Sequence, residues 1–181
     1  FGRMRTDFGG GAETKNLAAR TDAAGRHRLA IALEGVSPLS AASFSVSAGV
    51  QDVNRQRISG SSSFLVHPAE VYVGLRGSGW FVKPDEAYTV DAIVAAIDGE
   101  LALGRPIKIV AERVERDWLP SGEVEEKVAK VGGCDLSSGA EPVTCELSFD
   151  KGGEYRITAE TSDEAGRPNQ SQIQVWVSGG G

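Results

Sequence analysis

Cysteine, histidine and clustered carboxylates are the side chains best able to do chemistry, and the chain has only two cysteines and two histidines in 181 residues. Cys134 and Cys145 have ten residues between them, which is not the spacing of a C-x-x-C redox or zinc pattern. Their midpoint lies in the turn-like run Ser137-Ser138-Gly139-Ala140-Glu141-Pro142. Residues equidistant from a hairpin turn face each other about 4.5–5.5 Å apart between Cα atoms, within disulfide reach. The spacing therefore predicts a disulfide, Cys134 to Cys145, on neighbouring strands. Two reduced core cysteines are the alternative, but extended β modules generally work outside the cytoplasm, where disulfides persist.

The other candidates read as structure. His27 follows a turn and His67 abuts Pro68, so they form two solvated histidines and no catalytic or metal-binding pair. Asp91, Glu112 and Glu115 are an acidic pair only on paper; alternating charges on a solvated strand face are commoner. Gly77-Ser78-Gly79 sits between Leu75 and Trp80 as a turn. Asp22, Asp98 and Asp163 belong to turns and lack the dense spacing of a calcium loop. Asn169-Gln170-Ser171 fits a glycosylation acceptor, a pattern frequent by chance. Trp80, Trp118 and Trp176 are expected to fill core or junction space in preference to stacking on sugar. No G-x-S-x-G, H-E-x-x-H, phosphate-loop or G-x-G-x-x-G motif occurs. The expected catalytic, cofactor-binding and metal sets are therefore all empty.

The elements around these residues read as strands. Twenty-three glycines and short apolar alternations rich in Val, Ile, Ser and Thr favour strands and turns over helices. A net charge of −6 repels phosphate backbones, so nucleic acid is excluded as a partner. No apolar run approaches the roughly 20 residues that cross a bilayer, so direct membrane insertion is not expected. The chain starts at Phe1, without a basic n-region or an apolar h-region, and is read as a mature piece or expressed segment.

An internal repeat organises the chain. Phe44-Ser-Val-Ser-Ala-Gly-Val-Gln-Asp52 aligns with Tyr155-Arg-Ile-Thr-Ala-Glu-Thr-Ser-Asp163 at an offset of 155 − 44 = 111. Phe44, Val46 and Ala48, like Tyr155, Ile157 and Ala159, alternate as one buried strand face would. A weaker block upstream sets Glu13–Asp22 over Glu125–Asp135, placing Thr21 against Cys134. Such a period is domain-sized. Residues 1–68 are thus expected to be the C-terminal part of a sandwich domain, truncated, and 69–181 a complete copy. His67-Pro68-Ala69-Glu70 is the expected joint.

Turn chemistry agrees with the repeat. Asp22–Gly25 and Asp163–Gly166 put Asp first and Gly fourth, while Asp52-Val53-Asn54 reads as a shorter relative with Asn left-handed. Asp98-Gly99 signals a hairpin. In the complete copy, strands are predicted near Val71–Leu75, Tyr88–Ile97, Ile107–Val114, Val124–Val131, Val143–Phe149, Tyr155–Thr161 and Gln172–Val177. Glu123–Ala129 has a helical turn as its alternative. The truncated part is given strands that include Leu29–Leu33 and Phe44–Val50. The fold class is all-β: an antiparallel seven-stranded sandwich, immunoglobulin- or fibronectin-like, preceded by a partial copy.

Several phrases in order resemble the bacterial alpha-2-macroglobulin family. They are Phe64-Leu-Val-His-Pro-Ala-Glu-Val-Tyr-Val-Gly-Leu75, Asp98-Gly99 with Gly104-Arg-Pro106, and Val114-Glu-Arg-Asp-Trp118. The series closes with Gly152-Gly-Glu-Tyr-Arg-Ile-Thr-Ala159, Asp163-Glu-Ala-Gly-Arg167 and Val175-Trp-Val-Ser-Gly-Gly180. The resemblance implies tandem macroglobulin domains in a broad-spectrum protease trap of the periplasm or cell envelope, with a lipoprotein anchor on the whole protein as one way to hold it there. Its implied partners are neighbouring macroglobulin domains and, through the full-length protein, proteases. The family's Cys-x-Glu-Gln thioester is missing at Gly133-Cys134-Asp135-Leu136, and no long flexible insertion offers a bait. The chain itself is therefore expected to be non-catalytic scaffold without a cofactor. An independent extracytoplasmic binding module, an adhesin or carbohydrate-binding sandwich, is the alternative.

Overall fold

The computed structural model describes residues 15–30 and 41–179. The chain divides into two compact units, residues 1–37 and 38–181. In the first, the described stretch is exposed and carries one turn, in which the Gly25 N–H donates to the Asp22 carbonyl at 3.0 Å. Asp22 Oδ1 accepts the Ala24 and Arg26 N–H groups at 2.9 and 2.8 Å. The strand expected at Leu29–Leu33 lies for the most part outside the described residues; Leu29 and Ala30 carry no strand.

The second unit is built of strands, with no helix among the described residues. In chain order they are β1 (Ala42–Gln51), β2 (Arg57–Val66), β3 (Val71–Gly77), β4 (Phe81–Val82) and β5 (Tyr88–Ala96). Then follow β6 (Pro106–Trp118), β7 (Val124–Ser137), β8 (Val143–Leu147), β9 (Gly153–Ser162) and β10 (Pro168–Val177). β1 and β2 form a two-stranded hairpin of their own. The rest make a sandwich with a three-stranded sheet ordered β3-β5-β8 and a five-stranded sheet ordered β4-β10-β9-β6-β7. Each of the seven expected stretches falls on a strand, with Ile97 and Ser148-Phe149 lying beyond the strand ends, and 124–129 is strand and not helix. Two features differ from expectation: β4 is an additional short strand, and it pairs with β10 in parallel.

Strict alternation puts the core between the sheets. Tyr88, Val90, Ala92 and Val94 of β5 face Ile107, Ile109 and Ala111 of β6 and Tyr155, Ile157 and Ala159 of β9. Full burial of each large apolar side chain contributes about 1.5–3 kcal/mol. The Phe149 ring lies between Tyr88 and Tyr155, with centroids 5.9 and 4.4 Å away. Gly77 closes β3 where any Cβ would collide with the Tyr88 hydroxyl. That hydroxyl donates to the Gly79 carbonyl at 2.7 Å, so Gly77-Ser78-Gly79 seats a core tyrosine.

The repeat is visible in the backbone. β1 and β9, and likewise β2 and β10, are related by the same offset, 153 − 42 = 111 and 168 − 57 = 111. Register agrees as well, since Ala42 pairs with Val66 and Gln51 with Arg57 as Gly153 pairs with Val177 and Ser162 with Pro168. The turn at Asp52 corrects the expectation: it is as long as its counterpart, and Arg55, not Asn54, is left-handed at φ 64°. Its hydrogen bonds match those at Asp163, with Gly166 at φ 75° in the equivalent place. The shared form is a type I turn closed by a left-handed residue.

Candidate functional site

The joint holds a connected polar cluster. Val66 ends β2 and Val71 starts β3, so only His67-Pro68-Ala69-Glu70 connects hairpin to sandwich. Ala69 is buried, and the Glu70 N–H donates to Asp163 Oδ2 at 3.1 Å. The same oxygen accepts Arg167 Nε at 2.7 Å, and the Arg167 guanidinium reaches Glu70 Oε1 at 2.7 Å. Asp163 Oδ1 accepts the Ala165 and Arg167 N–H groups at 3.0 and 2.9 Å. One carboxylate thus fixes its own turn and the strand entering the sandwich. Burial opposes its ionisation, but N–H donation from Glu70 and Arg167 with the Arg167 charge outweighs it, and the carboxyl is held at about 2. On the other side of the joint His67 Nδ1 and the Tyr72 hydroxyl share a hydrogen bond of 2.5 Å.

Cys134 and Cys145 form a disulfide, with Cα atoms 6.0 Å apart. The hairpin route to it is corrected: Cys134 is on β7 of the five-stranded sheet and Cys145 on β8 of the three-stranded one. The run between them crosses from sheet to sheet. Ser138 holds that crossing, donating from Oγ to the Ala102 carbonyl and from its N–H to the Arg105 carbonyl at 2.6 and 2.9 Å. The bridge therefore clamps the two layers of the sandwich.

The remaining candidates are dispersed. Asp91, on the three-stranded sheet, is hydrogen-bonded to Arg76 and Thr144, and the Arg76 bond, followed by that from Thr144, holds its carboxyl below the usual carboxylate range. Glu115 pairs with Arg113 at 2.5 Å, and Glu112 lies opposite Arg156 in register, so the three acids form no pair. Asn169 is buried and its Oδ1 accepts the Val73 N–H at 2.9 Å, so this side chain stitches β10 to β3 and is no open glycan acceptor. The tryptophans do not fill the core. Trp80, Trp118 and Trp176 are 59%, 77% and 50% exposed, because Trp176 and Trp118 stand on the strand parity that faces away from the core. Glu154 is a buried acid on that outer face, ion-paired with Arg116, which also meets Glu126 at 3.3 Å. His27 lies in the exposed stretch 15–30. Among the described residues no group of His, Cys, Asp and Glu is placed to hold a metal ion.

Sequence reasoning missed the partnership of Glu70, Asp163 and Arg167. Asp163 carried a turn signal only, and a contact 93 residues away in the chain leaves no local pattern.

No family model matches the chain. Over 146 residues it is 27% identical to an alpha-2-macroglobulin homolog of Nostoc sp., covering 76% of this chain and 8% of that protein. Among solved structures, Salmonella alpha-2-macroglobulin reacted with methylamine superposes with a TM-score of 0.57 at 17% identity. That match takes in 86% of this chain and 11% of the Salmonella protein. The chain is related to the bacterial alpha-2-macroglobulins. A point mutant of the Salmonella protein gives a TM-score of 0.54 over 78% of this chain, again at 17% identity. The chain thus spans about a tenth of the length of these bacterial alpha-2-macroglobulins. The curated match carries the relationship, and the solved structures carry the macroglobulin-like fold.

Proposed function

We propose that residues 69–181 are a complete macroglobulin-like domain and residues 1–68 the C-terminal part of another. Together they serve as scaffold in a bacterial alpha-2-macroglobulin-like, broad-spectrum protease inhibitor. The observation that carries this reading is the repeated hairpin: β1–β2 and β9–β10 share length, register and turn at one offset. A scaffold repeat in a protein with a relative many times its length fits a domain array better than a free-standing module. The partners on this reading are neighbouring macroglobulin domains, with proteases met by the whole protein. The location is the periplasm or cell envelope, where the Cys134–Cys145 bridge persists. The described span has no helix long and apolar enough to cross a membrane.

In this role the chain positions and does not react. It holds neither the thioester sequence nor a bait segment, so it neither cleaves peptides nor traps a protease alone. The test is a protease assay with excess chain beside the longer polypeptide from which it derives. Progressive inhibition by the longer form and none by this chain is the expected result. Time-dependent inhibition by the chain alone, or none by the longer form, would overturn the reading.

A further inference from the structure

We propose that the β1–β2 hairpin is a strand acceptor whose β1 edge, unpaired among the described residues, takes an antiparallel strand of the β6 type, with Ile or Val alternating with polar residues. The inference rests on the reading of residues 1–68 as part of a sandwich and specifies what completes it. Three observations carry it. The hairpin has one apolar face, formed by Phe44, Val46, Ala48 and Val50 paired with Phe64, Ser62, Gly60 and Ile58. Val46, Val50, Ile58 and Phe64 on that face are all exposed. The opposite face carries Ser43, Ser45, Ser47, Ser59, Ser61 and Ser63, with Gly49 and one apolar residue, Leu65, so the hairpin is amphipathic, and its apolar face has no cover among the described residues.

The second observation is that, among the described residues, β1 is paired on one side only and carries no guard on the other. Its ten residues contain no charge and no proline, and its pairing with β2 runs unbroken. The two edges of the five-stranded sheet are protected in the usual ways. β4 has two residues, and β7 carries Glu125, Glu126, Lys127 and Lys130 with a register shift opposite Ala111/Glu112. An edge left this inviting is one built to be paired.

The third observation supplies the occupant. β9, the counterpart of β1, is paired on its other side by β6, with Lys108–Val114 against Glu160–Glu154. Subtracting 111 puts such a strand along Gly49–Ser43, with an isoleucine like Ile109 beside Ala48 (159 − 111 = 48). An alanine like Ala111 then stands beside Val46 (157 − 111 = 46). Main-chain bonds along the edge provide affinity, and alternate side chains filling the apolar face provide selectivity.

The experiment adds a synthetic peptide of residues 106–114 to the full chain and follows amide hydrogen exchange, with sedimentation run in parallel. The expected result is a slowing of about tenfold or more over 42–66, unchanged exchange over 153–177, and a monomeric chain. The same peptide carrying Ile109→Asp should give no slowing, and Val46→Asp in the chain should abolish the effect while the sandwich keeps its protection. No slowing at millimolar peptide overturns the proposal. So does slowing confined to β9–β10, which means the peptide displaced β6. A dimer that persists in saturating peptide also overturns it, because a second copy is then the occupant. Peptide capture by a chain whose longer form traps no protease would support the acceptor and sink the functional reading alone.

Discussion

The two hairpins β1–β2 and β9–β10 are nearly the same object in two surroundings. Both have ten-residue strands in the same register, closed by an Asp-led turn. In the second, Ile157 and Val175 are wholly buried; in the first, their counterparts Val46 and Phe64 are 42% and 51% exposed. Backbone conformation and register are therefore set by turn chemistry and alternation within about 25 residues of chain, and do not need the rest of the sandwich. Burial is what neighbours add, and with it nearly all the stabilisation. An isolated two-stranded hairpin is marginal in water.

The largest expected difference comes from placing a charge on equivalent positions. Ile157→Asp should destabilise the sandwich by more than about 4 kcal/mol, because a carboxylate has no partner there. Val46→Asp should leave its stability within about 0.5 kcal/mol. Urea unfolding followed by Trp fluorescence distinguishes the two, and equal effects would break the comparison.

The disulfide belongs to the second copy only, since Thr21 stands at the place matched to Cys134. Replacing both cysteines by serine should cost up to about 3 kcal/mol, seen as a lower urea midpoint with the fold retained. Intact-mass analysis before and after reduction should show two hydrogens gained on reduction.

A smaller effect separates the turn aspartates. Asp163 is lowered from 3.8 to about 2, so its contribution is complete above pH 4 and is lost as pH falls towards 2. Asp163→Asn should therefore be less stable than the parent at pH 6, with the gap narrowing between pH 4 and 2 in acid-unfolding curves. Asp52→Asn, whose carboxylate accepts only from its own turn among the described residues, should leave the sandwich midpoint unchanged. The smallest change is Arg55→Gly, which relieves a left-handed arginine that Gly166 avoids. It should slow amide exchange in β1–β2 by a factor corresponding to roughly 0.5–1 kcal/mol.

Particular residues show where legibility stopped. Tyr155, Ile157 and Ala159 were readable as one buried strand face because a period of two is written in the chain itself. Asp163 was readable as a turn residue, yet its grip on Glu70 was not. Asn169 fitted a glycosylation pattern frequent by chance, and the structure buries its side chain against β3. Cys134 and Cys145 suggested a pair by proximity, but proximity favoured a hairpin and the chain makes a crossing.

The sequence by itself determined most of the strands, the Asp-led turns, the offset of 111 and the lack of a thioester phrase, since each is written in short stretches of chain. Tertiary structure alone decided the sheet order, the parallel β4–β10 pair, the disulfide across layers, the outward tryptophans and which of two like hairpins is covered. Those outcomes depend on which faces meet over separations of tens of residues, where loop closure costs little more with length and many pairings compete. Packing between layers selects among them, and no local stretch of chain encodes that choice.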